Sequence, residues 1–173
     1  GMNLSLKDTN KQNAAYDTEN VMFQPFIIYP LGQKAKLKVD YSVIQTDLSN
    51  PGLVGTIVTD EVNEGKITSS SIGYELTNDS RLYKSGQKNG FLLKVGQQFS
   101  GLGGDNTGLK TLIMAAAQRE AFKEEVKFSA VVEAGVLTYT SGNSRVTDRF
   151  FLSSNKMRGF EPGGLGPREC SNK

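Results

Sequence analysis

The chain has 173 residues, with 20 lysines and arginines against 18 aspartates and glutamates, no histidine and a single cysteine, Cys170. This length fits one domain or a piece of a larger protein, and the nearly balanced charge excludes a broad basic surface for nucleic acid. Without histidine, zinc sites and Ser-His-Asp triads lack essential groups, and one cysteine cannot form a disulfide within the chain. We therefore expect no catalytic residue, no metal site and no cofactor.

Hydropathy excludes one class of membrane protein. The chain has no run of eighteen apolar residues, so we expect none of its helices to span a membrane. A strand of an outer-membrane barrel needs only about ten residues of alternating character, which leaves the overall hydropathy low. The negative mean hydropathy therefore fits a soluble sheet and a membrane barrel equally well.

The first forty residues predict a polar segment followed by strands. Residues 1–20 form a polar N-terminal segment, with at most a short strand over Leu4–Lys7 and a loop over Asp8–Asn20. A strand is predicted for Val21–Tyr29, where Pro25 marks an edge position or a bulge. The next strand has one apolar and one polar face, since its apolar residues recur with a period of two. They are Leu37, Val39, Tyr41 and Val43.

The middle of the chain alternates loops and strands. Gln45–Lys66 is predicted as a loop-like segment with a turn at Asn50-Pro51-Gly52. Two further strands are separated by a turn over Lys84–Gly90. The apolar positions of these strands are Ile72, Tyr74 and Leu76 in the first, and Phe91, Leu93, Val95 and Phe99 in the second.

A glycine-rich turn follows over Gly101–Gly108. Turns of this composition can present backbone N–H groups to a phosphate. The turn lacks the Gly-Lys-Ser/Thr ending of a phosphate loop and the dinucleotide fingerprint, so we interpret it as a strand connection.

The segment Leu109–Lys127 carries two conflicting signals. Its alanines, glutamates and lysines, with apolar residues at helical spacing, favour a helix. Small and apolar residues also alternate in a way that suits a strand, so these residues alone leave open a local helix over Leu109–Phe122.

The last predicted strand runs from Val126 to Thr138, with apolar residues at every second position. The chain therefore predicts an all-β fold, an antiparallel up-and-down meander of six to seven strands over residues 21–140. Such a sheet has two free edges unless it closes on itself or pairs with another chain.

Residues 141–173 are predicted to form a long loop rich in glycine, proline and arginine. Three short motifs follow one another within it: Asp148-Arg149-Phe150-Phe151, Met157-Arg158-Gly159-Phe160 and Gly166-Pro167-Arg168. Glycine and proline at this density exclude a periodic strand or helix. A long loop of this kind is usually either functional or disordered.

The three motifs resemble the inward-folded sixth extracellular loop of the BamA-like outer-membrane barrels, the bacterial surface antigen superfamily. Ser153 and Ser154 stand where relatives usually carry glycines, and Glu169 stands where aspartate is common. The turns at Asp79-Ser80-Arg81 and Gly101–Asp105 also resemble hairpins of such barrels. The resemblance implies a set of functional loop residues: Asp148, Arg149, Phe150, Arg158, Gly159, Phe160, Gly166, Pro167 and Arg168.

For the fold, the resemblance implies a central fragment of a sixteen-stranded transmembrane β-barrel, roughly its sixth to eleventh strands with the loop that follows. It also implies a strand over Leu109–Phe122, and we adopt that prediction. The acidic partners of Arg158 in the family lie on strands beyond the end of this chain.

For function, the resemblance implies a parent protein that folds and inserts other β-barrel proteins into the bacterial outer membrane and catalyses no chemistry. Its partners would be unfolded outer-membrane proteins, accessory assembly lipoproteins and the lipid bilayer, and we expect the isolated fragment to self-associate. Two alternatives remain at this point: a translocation barrel for secreted partner proteins, and a soluble β-sandwich or small barrel that binds a ligand. An enzyme with a carboxylate pair drawn from Asp79, Asp105, Glu133 and Asp148 is the weakest alternative.

Overall fold

A single antiparallel sheet makes up most of the structure. The computed structural model describes residues 1–9, 17–49, 56–81, 89–121, 126–142 and 148–150. These ranges contain β1 (Met2–Thr9), β2 (Asp17–Pro30), β3 (Ala35–Ser49), α1 (Thr56–Glu64), β4 (Ile67–Asp79), β5 (Gly90–Ser100), β6 (Thr107–Ala121) and β7 (Val126–Ser141). Each strand pairs with the next one in the chain. The predicted all-β meander of six to seven strands is confirmed, with seven strands.

One face of the sheet, here called the outer face, is apolar and exposed. Every strand contributes large apolar side chains to it, among them Leu4, Phe23, Val39, Ile72, Leu93, Ile113 and Phe128. Ile27 on β2 is 74% exposed and Val132 on β7 is 67% exposed. No other described part of the chain packs over these two side chains, so the apolar residues of this sheet are not arranged around a central protein core.

The opposite face, here called the inner face, is more polar and concave. Gln98 on β5 donates from Nε2 to the hydroxyl of Ser71 on β4 at 2.8 Å and to that of Ser42 on β3 at 3.1 Å. The sheet curves toward this face, since side chains two strands apart meet on it. A cavity of about 250 Å³ runs from Ile44 on β3 to Leu137 on β7. The buried strand residues lie mainly here, and Ser42 is 0% exposed.

The pairing register keeps the apolar side chains on one face across the sheet. Val39 lies opposite Ile27 on β2 and opposite Tyr74 on β4. Ile113 on β6 lies opposite Val95 on β5. A slip of one residue would turn the apolar set of a strand to the inner face. The alternation visible in the sequence therefore specifies both the faces and the register.

The strand predicted over Leu109–Phe122 is confirmed for Leu109–Ala121, and Phe122 lies outside the described residues. β6 pairs with β5 on one side and with β7 on the other. Helix propensity is a weak preference per residue, and hydrogen-bond ladders on both edges override it.

The N-terminal segment is more ordered than the sequence predicted. Instead of a short strand over Leu4–Lys7 and a loop over Asp8–Asn20, β1 spans Met2–Thr9 and β2 begins at Asp17. Polarity was a poor guide here: Met2, Leu4 and Leu6 alternate with polar residues, and the polar residues that follow in β1 and begin β2 are paired through the backbone. The side chains also contribute, since the Thr46 hydroxyl donates to Asn20 Oδ1 at 2.8 Å.

The loop prediction for Gln45–Lys66 was wrong at both ends of that segment. β3 continues to Ser49, and α1 occupies Thr56–Glu64. The helix ends at Gly65, which has a φ of 76° and donates its N–H to the Val62 carbonyl at 3.1 Å. Three β-branched residues at its start, Thr56, Ile57 and Val58, hid the helix from propensity rules.

The glycine-rich turn connects β5 and β6, as predicted. Its backbone N–H groups are used within the fold: Gly101 donates to the Ser70 carbonyl at 3.0 Å and Asp105 to the Thr68 carbonyl at 3.0 Å. Asp105 Oδ2 in turn accepts the Thr68 N–H at 2.8 Å. These groups extend the sheet at the start of β4, so the turn does not present a free nest of donors to a phosphate.

Candidate functional site: the loop base on the inner face

The candidate site lies where the chain leaves β7 and turns back onto the inner face. It is formed by the loop base, which we define as Asp148, Arg149 and Phe150, and by neighbouring residues of β6 and β7. The pairing of Gly108 with Tyr139 and of Lys110 with Leu137 places Lys110 and Tyr139 on the inner face, about two residues apart along the sheet. Both side chains reach the loop base.

Asp148 is held by a side-chain and a backbone contact. The Tyr139 hydroxyl donates to Asp148 Oδ2 at 2.8 Å, and Lys110 Nζ donates to the Asp148 carbonyl at 3.4 Å. Each contact involves one charged group, the Asp148 carboxylate or the Lys110 ammonium. The first contact contributes more than the second because it is 0.6 Å shorter.

Phe150 lies against the inner face next to these groups. Lys110 Nζ stands 5.2 Å from the centre of its ring, a cation–π distance. The ring also borders a cavity of about 550 Å³ that is lined by Glu75, Lys94 and Glu133. The candidate site thus joins the aromatic ring and the carboxylate of the loop base to Lys110 of β6 on the concave side of the sheet.

Of the predicted site residues, three are described by the structure, and Lys110 brings two of them, Asp148 and Phe150, together. The exposed Arg149 lies between them. The other six lie outside the described residues: Arg158, Gly159, Phe160, Gly166, Pro167 and Arg168. Sequence analysis missed Lys110 and Tyr139. Lys110 lies in the strand predicted over Leu109–Phe122, and Tyr139 lies one residue beyond the strand predicted over Val126–Thr138.

Three of the four carboxylates considered for an enzyme accept hydrogen bonds from different groups in the fold. Asp79 accepts two hydrogen bonds from the Arg81 side chain, both at 3.0 Å, which raises the pKa of the Arg81 guanidinium. Asp105 accepts from the backbone of β4, and Asp148 accepts from Tyr139. Within the described ranges, no three histidine, cysteine, aspartate or glutamate side chains are grouped to hold a metal ion.

A second polar cluster lies on the inner face of β2 and β3. Gln24 Nε2 donates to Asp40 Oδ2 at 2.7 Å, and Lys38 Nζ is 3.8 Å from Asp40 Oδ1. Lys38 Nζ also stands 5.0 Å from the centre of the Phe26 ring. The inner face is therefore lined by paired charges and amides along its length, as expected of a surface that faces water.

Comparison with known proteins agrees with this architecture. The Omp85 superfamily domain matches residues 1–173, the whole chain. The chain belongs to the Omp85 superfamily. It is also similar to the outer membrane protein assembly factor BamA of Neorickettsia risticii (strain Illinois), with 36% identity over 81 residues. That match covers 46% of this chain and 11% of the relative's length. No solved structure matches the chain.

Membership of the Omp85 superfamily explains the two faces of the sheet. In an outer-membrane barrel the apolar side chains face lipid and the polar ones face the interior. The outer face of this chain therefore meets the bilayer of the bacterial outer membrane, and the inner face lines the barrel interior. No helix in the described ranges is long and apolar enough to cross a membrane.

Proposed function

We propose that this chain is a central section of an outer-membrane barrel that folds and inserts other β-barrel proteins into the bacterial outer membrane. The observation that carries the proposal is the loop base on the inner face, within a chain of the Omp85 superfamily. The sheet fits a section of barrel wall, with β1 and β7 at its two edges. The partners of the whole protein are unfolded outer-membrane proteins, accessory assembly lipoproteins and the bilayer.

The physical task of such a barrel is to satisfy backbone groups in lipid. An unpaired strand edge within the bilayer leaves each N–H and C=O without a partner, which costs several kcal/mol per group. A barrel that offers an edge lets an incoming strand pair before it meets lipid. This activity requires no covalent chemistry and no cofactor, and the proposal includes none.

Loop lengths support an orientation for the sheet. At one end the connections comprise residues 10–16, 50–66 and 101–106, followed by the long segment after residue 141; at the other end they comprise residues 31–34, 80–89 and 122–125. Outer-membrane barrels have short periplasmic turns and longer extracellular loops. We assign α1 and the loop base to the extracellular end.

Different observations bear on the two alternative functions, a soluble ligand-binding β-sandwich and a translocation barrel. A soluble β-sandwich requires the apolar face to be covered by protein, whereas Ile27 and Val132 are largely exposed. A translocation barrel for secreted proteins would share the same sheet. The similarity to a protein named as an assembly factor favours assembly.

Replacement of Arg158 by alanine in the full-length protein tests this function. A guanidinium makes several charge-assisted hydrogen bonds in a polar barrel interior, and alanine makes none. We expect the yield of folded substrate barrels to fall by more than about tenfold, the effect of losing one or two charged hydrogen bonds. The yield is measured from the heat-dependent gel mobility of outer-membrane proteins.

Two matched variants make the result specific. Arg158→Lys keeps the charge but loses the planar fork of donors, so we expect an intermediate yield. Arg145→Ala removes a nearby arginine outside the three motifs, and we expect a near-normal yield. Normal assembly by Arg158→Ala at an unchanged protein level would contradict the proposed role of the loop.

A further inference from the structure

We infer that the inner faces of β6 and β7 carry a preformed seat for the loop base, in which Lys110, Gly135 and Tyr139 are positioning residues. The seat holds Asp148 and Phe150 on the concave side of the sheet. The inference rests on the proposed function only for its consequence in assembly. The contacts that define the seat are independent of it.

The first part of the seat is Tyr139, whose ring occupies space left free by a glycine on the neighbouring strand. Tyr139 stands opposite Gly108 across the β6–β7 ladder, at a register irregularity next to Thr107. A Cβ at Gly108 would lie 3.0 Å from the Tyr139 ring and 2.8 Å from the Thr138 carbonyl oxygen. Glycine therefore leaves the space that the ring occupies. The phenol is fixed with its hydroxyl toward Asp148.

The second part is a bare stretch of backbone beneath Phe150. A Cβ at Gly135 would lie 2.6 Å from Cζ of Phe150 and 2.8 Å from its Cε1. Real Cβ atoms do not approach a ring so closely, so the ring sits where any other residue would place its side chain. Because the blocked atoms are the far end of a movable ring, alanine at this position would displace Phe150 rather than unfold β7.

Lys110 connects the two parts. It contacts the Asp148 carbonyl and the Phe150 ring at once, 38 residues from Asp148 in sequence. The arrangement therefore involves specific polar contacts as well as shape. The Lys110 ammonium faces the Phe150 ring, and the Asp148 carboxylate accepts from the Tyr139 hydroxyl. The loop base is thereby fixed on the inner face within a few residues of the end of β7.

A single tryptophan at position 150 can report on the seat, because the chain contains no tryptophan. We would introduce Phe150→Trp into the full 173-residue chain in detergent micelles and measure quenching of its fluorescence by acrylamide. The seat predicts partial protection. Phe150 is 47% exposed, so adding Gly135→Ala should raise the quenching constant by up to about twofold, because the ring loses contact with the backbone of β7.

Four further variants distinguish a role in the seat from an effect on general stability. Gly96→Ala is the matched control, since a Cβ there would stand 3.5 Å from the Tyr74 carbonyl, an ordinary contact, and we expect unchanged quenching. Tyr139→Phe removes one hydroxyl and should raise the quenching. Asp148→Ala should do the same, whereas Asp148→Asn retains an oxygen that accepts from Tyr139 and should restore protection.

Equal quenching in the parent chain and in the Gly135→Ala and Tyr139→Phe variants would overturn the inference, whatever its cause. So would Asp148→Asn behaving as Asp148→Ala. Neither outcome involves an assembly assay. If the quenching variants contradict the seat but Arg158→Ala still impairs assembly, the proposed function stands. If the quenching variants support the seat but Arg158→Ala assembles normally, the seat stands and the proposed function does not.

Discussion

At the scale of single residues, Gly104 shows how the β5–β6 turn is fitted to the sheet. A Cβ at this position would lie 2.7 Å from the Thr68 carbonyl oxygen and 2.9 Å from the Ser70 nitrogen. Both are backbone atoms of β4, which cannot move without disturbing its pairing. The close approach is needed because the turn hydrogen-bonds to the same segment of β4.

We therefore predict that Gly104→Ala destabilises the chain by about 1–3 kcal/mol, the usual cost of overpacking. Gly96→Ala is the matched control, because the added methyl group meets only ordinary contacts and alanine lowers the backbone entropy of the unfolded chain. The free energy of unfolding is measured from urea titrations of the chain in detergent micelles, followed by circular dichroism. Equal midpoints for the two variants would contradict the close approach.

The residue scale is also where prediction from sequence reached its limit. Asp148 and Phe150 were singled out because of their motif, but their partners Lys110 and Tyr139 were not. Lys110 is 38 residues from Asp148, and the site depends on the pairing of β6 with β7 and on two glycines that leave space for Tyr139 and Phe150. These spatial relations between strands do not appear in the local alternation or the propensity of the sequence.

At the scale of elements, a long alternation of apolar and polar side chains was a good guide to strands, and a short or polar segment was not. The faces of β3, β4, β5 and β7 followed directly from the period of two. β1 was underestimated because its alternation covers only Met2, Leu4 and Leu6 within a polar segment, and α1 was missed because β-branched residues stand at its start. β6 required the family resemblance, since its composition favours a helix that two neighbouring strands override.

The alternation in β6 leads to a prediction about its two faces. Ile113 lies on the outer face, and Met114 lies on the inner face opposite Glu133. In a bilayer we expect Ile113→Arg to cost about 2–4 kcal/mol, the penalty for arginine on a lipid-facing strand near the midplane. Met114→Arg should cost less than about 1 kcal/mol, because the guanidinium faces the polar interior beside a carboxylate.

The two variants are compared in lipid vesicles by urea titration of the strand signal in circular dichroism. Both variants introduce arginine at neighbouring positions, so the difference between their free energies of unfolding reports which face each residue occupies and not the type of side chain. Equal costs would show that the outer face of β6 is not in contact with lipid. A larger cost for Met114→Arg would reverse the assignment of the two faces.

At the scale of the whole molecule, the chain presents two open strand edges and one apolar face. β1 and β7 each pair on one side only within the described part of the chain. β7 is sixteen residues long, and its side chains are exposed on both faces along most of its length. An edge of this length is a template for pairing with another chain.

We therefore predict that the 173-residue chain self-associates in solution and in detergent, as measured by size-exclusion chromatography with light scattering. Successive N–H groups of a strand point to opposite sides, so of the neighbouring variants Val131→Pro and Val132→Pro one removes a donor from the free edge of β7 and the other a donor to β6. The variant that loses the free-edge donor should lower the associated mass and keep the sheet. The variant that loses the donor to β6 should lose strand signal in circular dichroism. A monomeric parent chain, or a mass unchanged in both variants, would contradict association through β7.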